Sequence, residues 1–189
     1  MTFANLLLTA AVILGGLLVL LRIVLAVRSY RRFRGKMLIT CPESRTPEAV
    51  DVQAGRAALT ALVGTPHLRL RDCTRWPERA DCGQDCLTQV AGHPENCLVR
   101  NIVARWYEGK DCAFCGKSIA SIDWLKQRPA LLSPDRRTVQ WDEVRPEHLP
   151  EVFATHQPVC WNCHIAESFR REHPERVVDR PPHDDLYVA

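Results

Sequence analysis

From Phe3 to Val27 the chain is apolar except at Asn5, Thr9 and Arg22. At about 1.5 Å per residue, a helix of this length crosses a hydrocarbon layer of roughly 30 Å. It is greasy on every face, whereas a helix in a globular core is usually shorter and amphipathic. Met1 to Asn5 contains no basic side chain, while Arg28, Arg31, Arg32, Arg34 and Lys36 crowd the far end. A cleaved signal peptide carries its basic residues first and ends in a small-residue cleavage site after a shorter run. The pattern therefore predicts a retained transmembrane helix. The positive-inside rule puts the arginine-rich flank and the soluble part in the cytoplasm, with the amino terminus outside. The same flank is expected to bind anionic lipid headgroups.

Charge sharpens the division. The chain carries a formal +3, yet six of its 25 Lys and Arg (Arg22, Arg28, Arg31, Arg32, Arg34, Lys36) precede Met37 and none of its 22 Asp and Glu does. The soluble part is thus acidic, the opposite of a nucleic-acid footprint. Trp76, Trp106, Trp124, Trp141 and Trp161 then read as core or rim residues rather than base-stacking platforms.

Nine cysteines, none in the apolar run, are too many for incidental packing. In a reducing cytoplasm structural disulfides are rare, so the spacings read as metal sites. An odd count also suits two four-cysteine sites and one spare thiol. The clearest set is Cys112-Ala113-Phe114-Cys115-Gly116-Lys117 followed by Cys160-Trp161-Asn162-Cys163-His164, with 44 residues between Cys115 and Cys160. Glycine after the second cysteine permits a left-handed turn that aims backbone amides at thiolate sulfur. Beyond it, Ser118 to Trp124 has a short strand-like pattern. The second pair leads into a helix on which Ile165 and Phe169 share a face, with Pro174 past its end.

A knuckle, an irregular hairpin and a second cysteine pair in the first turn of a helix resemble the treble-clef and zinc-ribbon families, over roughly residues 110–173. The resemblance implies that Cys112, Cys115, Cys160 and Cys163 are four tetrahedral ligands of a structural metal, because four thiolates leave no open coordination position.

A second set, Cys73, Cys82, Cys86 and Cys97, has the spacing C-x8-C-x3-C-x10-C, which fits no named zinc pattern. A helix would place Cys82 and Cys86 on one face, and Cys97 opens a further helix marked by Leu98, Ile102 and Trp106, with Gly109 as its stop. Three readings stand for this set: a second zinc, an iron–sulfur cluster, or unligated buried thiols. Cys41 either replaces one of these four or remains free. His164 reads as a helix-start side chain rather than a ligand, although it can substitute for a cysteine.

Two rival uses of the C-x-x-C pairs need an answer. Cys160 to His164 also spells the c-type haem attachment motif. Haem attachment belongs outside the cytoplasm, and it leaves the matched pair Cys112 and Cys115 unexplained. Thioredoxin-like chemistry requires a strand–helix setting that neither pair has. No nucleophile–base arrangement, phosphate loop or paired-carboxylate motif can be placed, so no catalytic residue and no small-molecule substrate is expected.

The resulting expectation is an α+β chain in four parts. A transmembrane helix and basic flank (1–36) precede a small α+β unit holding the first cysteine cluster (37–111), a treble-clef-like zinc unit (112–173) and a mobile tail (174–189). Within residues 37–70 the pattern predicts strand, turn, strand, a helix over Gly55–Val63, and a strand at Leu68–Leu70. The acidic stretch from Asp142 to Glu147 reads as a solvated loop. Units this small bury little apolar surface, and a structural metal offsets that deficit. The expected function is a membrane-anchored zinc-binding adaptor or assembly factor that engages lipid and another protein. The alternative is an iron–sulfur or, less favoured, c-type haem electron-transfer protein.

Overall fold

The structure, a computed structural model, describes residues 3–119, 122–124 and 126–177. The chain divides into two compact units: Met1–Arg105 with Arg145–Leu149, and Trp106–Val144 with Pro150–Ala189.

The first unit begins with α1 (Phe3–Phe33), a helix of 31 residues with no acidic residue in its first turn and Arg31 and Arg32 in its last. Among the described residues it is the one helix long and apolar enough to cross a membrane. Its surface is not uniform. Exposure falls from 71% at Ile13 to 42% at Leu25, and Ser29 and Phe33 are buried. The covering element is α2 (Ala54–Ala61), which packs along α1 and buries Ala54, Ala57 and Ala61. Small side chains let two helices approach closely. At the far end of this contact the Arg22 guanidinium donates to the Leu62 carbonyl at 3.1 Å. The uncovered apolar stretch is therefore Phe3–Leu21, about 28 Å long at the helical rise.

Three antiparallel strands follow in the order β1 (Lys36–Thr40), β2 (Pro47–Val52) and β3 (Leu70–Cys73). Met37 pairs with Val50, and Val50 with Cys73. The sheet packs with α3 (Leu87–Gly92) and α4 (Pro94–Cys97) around Phe33, Met37, Val50, Leu70, Val90 and Leu98. Strand, turn, strand and helix lie where the apolar pattern predicts. The third strand begins at Leu70, two residues beyond the predicted Leu68, because pairing sets Leu70 opposite Val52. The expected helix through Cys82 and Cys86 does not form. Gln84 has φ +58°, a left-handed conformation that breaks a helix, and α3 starts only at Leu87.

The helix predicted after Cys97 is α5 (Val99–Tyr107), whose last two residues belong to the second unit. There Trp106 stacks on Phe153 with ring centroids 4.9 Å apart. Buried Tyr107 donates its hydroxyl to the Ala130 carbonyl at 2.6 Å. A three-stranded antiparallel sheet runs in the order β5 (Thr138–Gln140), β4 (Ala130–Leu132), β6 (Gln157–Val159). The hairpin is thus β4–β5, not the predicted Ser118–Trp124 stretch. In that stretch the described residues form only the isolated bridges Asp111–Ser118 and Asp123–Gln127. The β4–β5 connection is a tight turn with Arg136 at φ +62°. Past the polar turns at 142–145, a 3-10 turn (Pro146–His148) leads into α6 (Leu149–Thr155), which the sequence reading did not anticipate. The unit ends with α7 (Trp161–Glu172) and a 3-10 turn at Pro174–Arg176. The rest of the predicted tail, 178–189, lies outside the described residues.

Candidate metal centre

The second unit brings Cys112, Cys115, Cys160 and Cys163 together. Their four sulfurs all lie within 4.8 Å of one another, and Cys115 Sγ and Cys160 Sγ are 3.8 Å apart. A tetrahedral ion with metal–sulfur bonds of about 2.3 Å sets its sulfurs about 3.8 Å apart, so the cluster has the dimensions of a four-thiolate site. Among the described residues this is the one group of three or more His, Cys, Asp or Glu side chains that close.

Local backbone geometry explains the convergence. Cys112 N–H donates to the Lys117 carbonyl, and Gly116 N–H donates to the Cys112 carbonyl, both at 2.9 Å. Gly116 sits at φ +65°, where a side chain is strained. The knuckle so formed is stitched to the sheet by Ala113 N–H donating to the Pro158 carbonyl of β6 at 2.9 Å. One residue past β6, Cys160 is the residue before α7 and has extended backbone angles, and Cys163 lies in the first helical turn. Cys160 N–H donates to Cys112 Sγ at 3.3 Å, which ties the helix start to the knuckle. Ala130 and Val159, both fully buried, form the apolar floor with buried Cys112.

The sulfurs differ in their hold on a proton. Burial raises the Cys112 thiol, but N–H donors from Cys160, Cys115 and Phe114 outweigh it and bring the group down to about 6. Cys160 and Cys163 move the other way. Burial pushes both up, and the Cys112 and Cys115 sulfurs add to the rise at each, while Cys163 partly opposes it at Cys160. An array with one ready thiolate and two reluctant ones is what a bound cation resolves, since coordination deprotonates thiols outright.

His164 does not join the set. It is buried at 4% exposure on α7, its Nδ1 has no partner, and burial lowers its pKa.

The other predicted ligands lie in the first unit. Cys73 ends β3, Cys82 lies in the irregular stretch before α3, and Cys86 is the residue before α3. Burial pushes the Cys86 thiol up to about 11, and Cys73, Cys82 and Cys41 are all near enough to add to the rise. The electrostatic neighbours of Cys97, in contrast, are Glu95 and Arg105. Its thiol faces the Gln89 carbonyl at 3.9 Å. Cys41, which the sequence left open, packs against the core cluster that holds Cys73, Cys86 and Cys97, and it shares a cleft with Cys82 and Cys86. Spacing along the chain could not find this, because Cys41 is delivered by the β1–β2 connection.

Compared with known proteins, the chain matches no family model, no curated protein and no solved structure. Chemistry must therefore be argued from the residues.

Proposed function

We propose that this chain is a membrane-anchored zinc protein. In this reading its second unit is a treble-clef-like module whose ion has a structural role, and the protein acts as an adaptor or assembly factor at the cytoplasmic face. The observation that carries the reading is the four-sulfur cluster, with every pair within 4.8 Å. The order of elements supports the treble-clef likeness: knuckle, hairpin, then a helix whose first turn carries the second cysteine pair. Zinc is favoured because four thiolates in a closed tetrahedral set suit a soft ion with no need for an open position. Such a set offers no place for substrate, so the ion's contribution is folding free energy, about 10 to 16 kcal/mol in small zinc modules.

Placement follows from the apolar helix and the basic collar that ends it. Arginines on one flank favour retention of that flank in the cytoplasm, where thiols stay reduced and free to bind metal. The partners in this reading are anionic lipid at the collar and a protein held near the inner leaflet.

The test is elemental analysis and an absorption spectrum of the full chain purified in detergent without added metal. Stoichiometric zinc in a colourless protein, lost in Cys112→Ser and Cys160→Ser, is the expected result. Iron with a visible band that bleaches on dithionite would replace zinc with a redox cluster, and a Soret band would replace it with haem. A phosphatase fused to the carboxyl terminus should be inactive in cells, and activity there would overturn the orientation.

A further inference from the structure

We propose that the first unit holds a second thiolate metal site built from Cys41, Cys73, Cys82 and Cys86, with Cys97 excluded. The inference rests on the reading that these thiols face a reducing compartment. It borrows the knuckle geometry of the second unit but uses none of that unit's cysteines.

One turn of the first unit repeats the backbone of the Cys112 knuckle. At Cys112 the knuckle is defined by three features: N–H of the cysteine to the carbonyl five residues on, N–H of residue four on to the cysteine carbonyl, and positive φ at residue four on. The segment Cys41-Pro42-Glu43-Ser44-Arg45-Thr46 repeats all three. Cys41 N–H donates to the Thr46 carbonyl at 2.9 Å, Arg45 N–H donates to the Cys41 carbonyl at 2.8 Å, and Arg45 has φ +60°. The sulfur environments match as well. Cys112 Sγ accepts from N–H groups of Phe114 and Cys115, two and three residues on. Cys41 Sγ accepts from those of Glu43 and Ser44, also two and three residues on. This is a metal-binding knuckle whose second cysteine position is Ser44. A non-glycine residue in the left-handed region costs roughly 1 kcal/mol, so such a turn needs a compensating role.

A knuckle with one cysteine needs three ligands from elsewhere, and three cysteines stand beside it. Cys73, Cys86 and Cys97 lie in one core cluster with Cys41 packed against it, while the cleft of about 360 Å³ beside it is lined by Cys41, Cys82 and Cys86 and not by Cys97. Cys73 ends a strand, Cys82 lies in an irregular stretch, and Cys86 precedes a helix. The Arg75 guanidinium donates to Cys41 Sγ at 3.2 Å and to Glu43 at 2.7 Å, and Arg79 also pairs with Glu43. Hydrogen bonds of this kind from outside the ligand shell orient a thiolate and stabilise its charge. The four sulfurs do not all lie within 4.8 Å of one another as those at Cys112 do, so closing the shell requires Cys82, in the irregular stretch between the turns and α3, to move inward. The chemistry selects a soft divalent ion, zinc above all.

The experiment counts metal in the full-length protein in detergent, purified from cells grown with zinc. Two zinc ions per wild-type chain are expected, falling to one in Cys41→Ser, Cys73→Ser, Cys82→Ser or Cys86→Ser and remaining at two in Cys97→Ser. Cys112→Ser should also leave one. A wild-type chain with a single zinc that Cys112→Ser abolishes would overturn the second site and spare the first. No metal in any form would remove both readings. Loss of an ion in Cys97→Ser together with its retention in Cys41→Ser would return the site to the sequence-spaced set. Should Cys41→Ser not fold, alkylation of the wild type decides the matter. Cys41 and Cys82, both partly exposed, should resist iodoacetamide until a chelator is added, and labelling beforehand would overturn the proposal.

Discussion

The backbone N–H of Cys160 points at the sulfur of Cys112, 3.3 Å away, so a residue at the foot of one helix completes the environment of a thiolate 48 positions earlier. The bond carries a long-range constraint. The knuckle and the helix start hold each other in place, and the β4–β6 pairing that links Leu131 to Pro158 sets their separation.

Metal uptake at this cluster should release protons. Without metal, Cys160 and Cys163 are raised by burial and neighbouring sulfurs and stay protonated at neutral pH, while Cys112 at about 6 is already a thiolate. Protons and metal compete for the same sulfurs, so affinity should fall as pH falls. Calorimetry in buffers of different ionisation enthalpy should show release of at least the two protons of Cys160 and Cys163. Release of none would contradict the assigned protonation.

The two knuckles should answer oppositely to glycine. Gly116→Ala puts a side chain at φ +65° and should destabilise the second unit by about 1 kcal/mol. Arg45→Gly relieves the same conformation at φ +60° and should raise the midpoint of unfolding by a few degrees, a stabilisation of about 0.5–1 kcal/mol. Thermal melts of the metal-loaded protein read both, and a destabilised Arg45→Gly would contradict the strain argument.

Tyr107→Phe should cost about 1–2 kcal/mol. The change deletes a buried hydroxyl that donates to the Ala130 carbonyl in the central strand of its sheet. Urea melts of the full chain measure the loss. Metal content should stay unchanged, because Tyr107 supplies no ligand.

Arg22→Leu should loosen α2. The substitution removes the donor to the Leu62 carbonyl and leaves the apolar stretch longer. Hydrogen exchange should quicken at Val63 and Gly64, whose N–H groups close the last turn of that helix on Thr60. Unchanged exchange would show that helix packing alone fixes the end.

The cysteine pairs of the second unit were legible because each is local: C-x-x-C is a statement about one turn, and Gly116 announces its backbone. The apolar run and the β1–β2–α2 order were legible for the same reason, since period and turn residues act over a few positions. What escaped were features decided by pairing across the chain. The hairpin lies at Ala130–Gln140, where two three-residue strands are too short to show a period, and α6 hides behind two prolines. Arg45 and Gln84 adopt left-handed angles that their identities do not signal. The first redefines the turn after Cys41, and the second dissolves the helix expected to align Cys82 with Cys86.

Only Arg34 and Gly35 separate the end of α1 from the first strand, and α2 braces the helix from Arg22 onward. Gly35 itself is held at φ +122° beneath the Leu98 side chain. The first unit is therefore mounted on its helix like a blade on a shaft. A twist or lean of the shaft turns the blade with it, since no flexible linker separates the two.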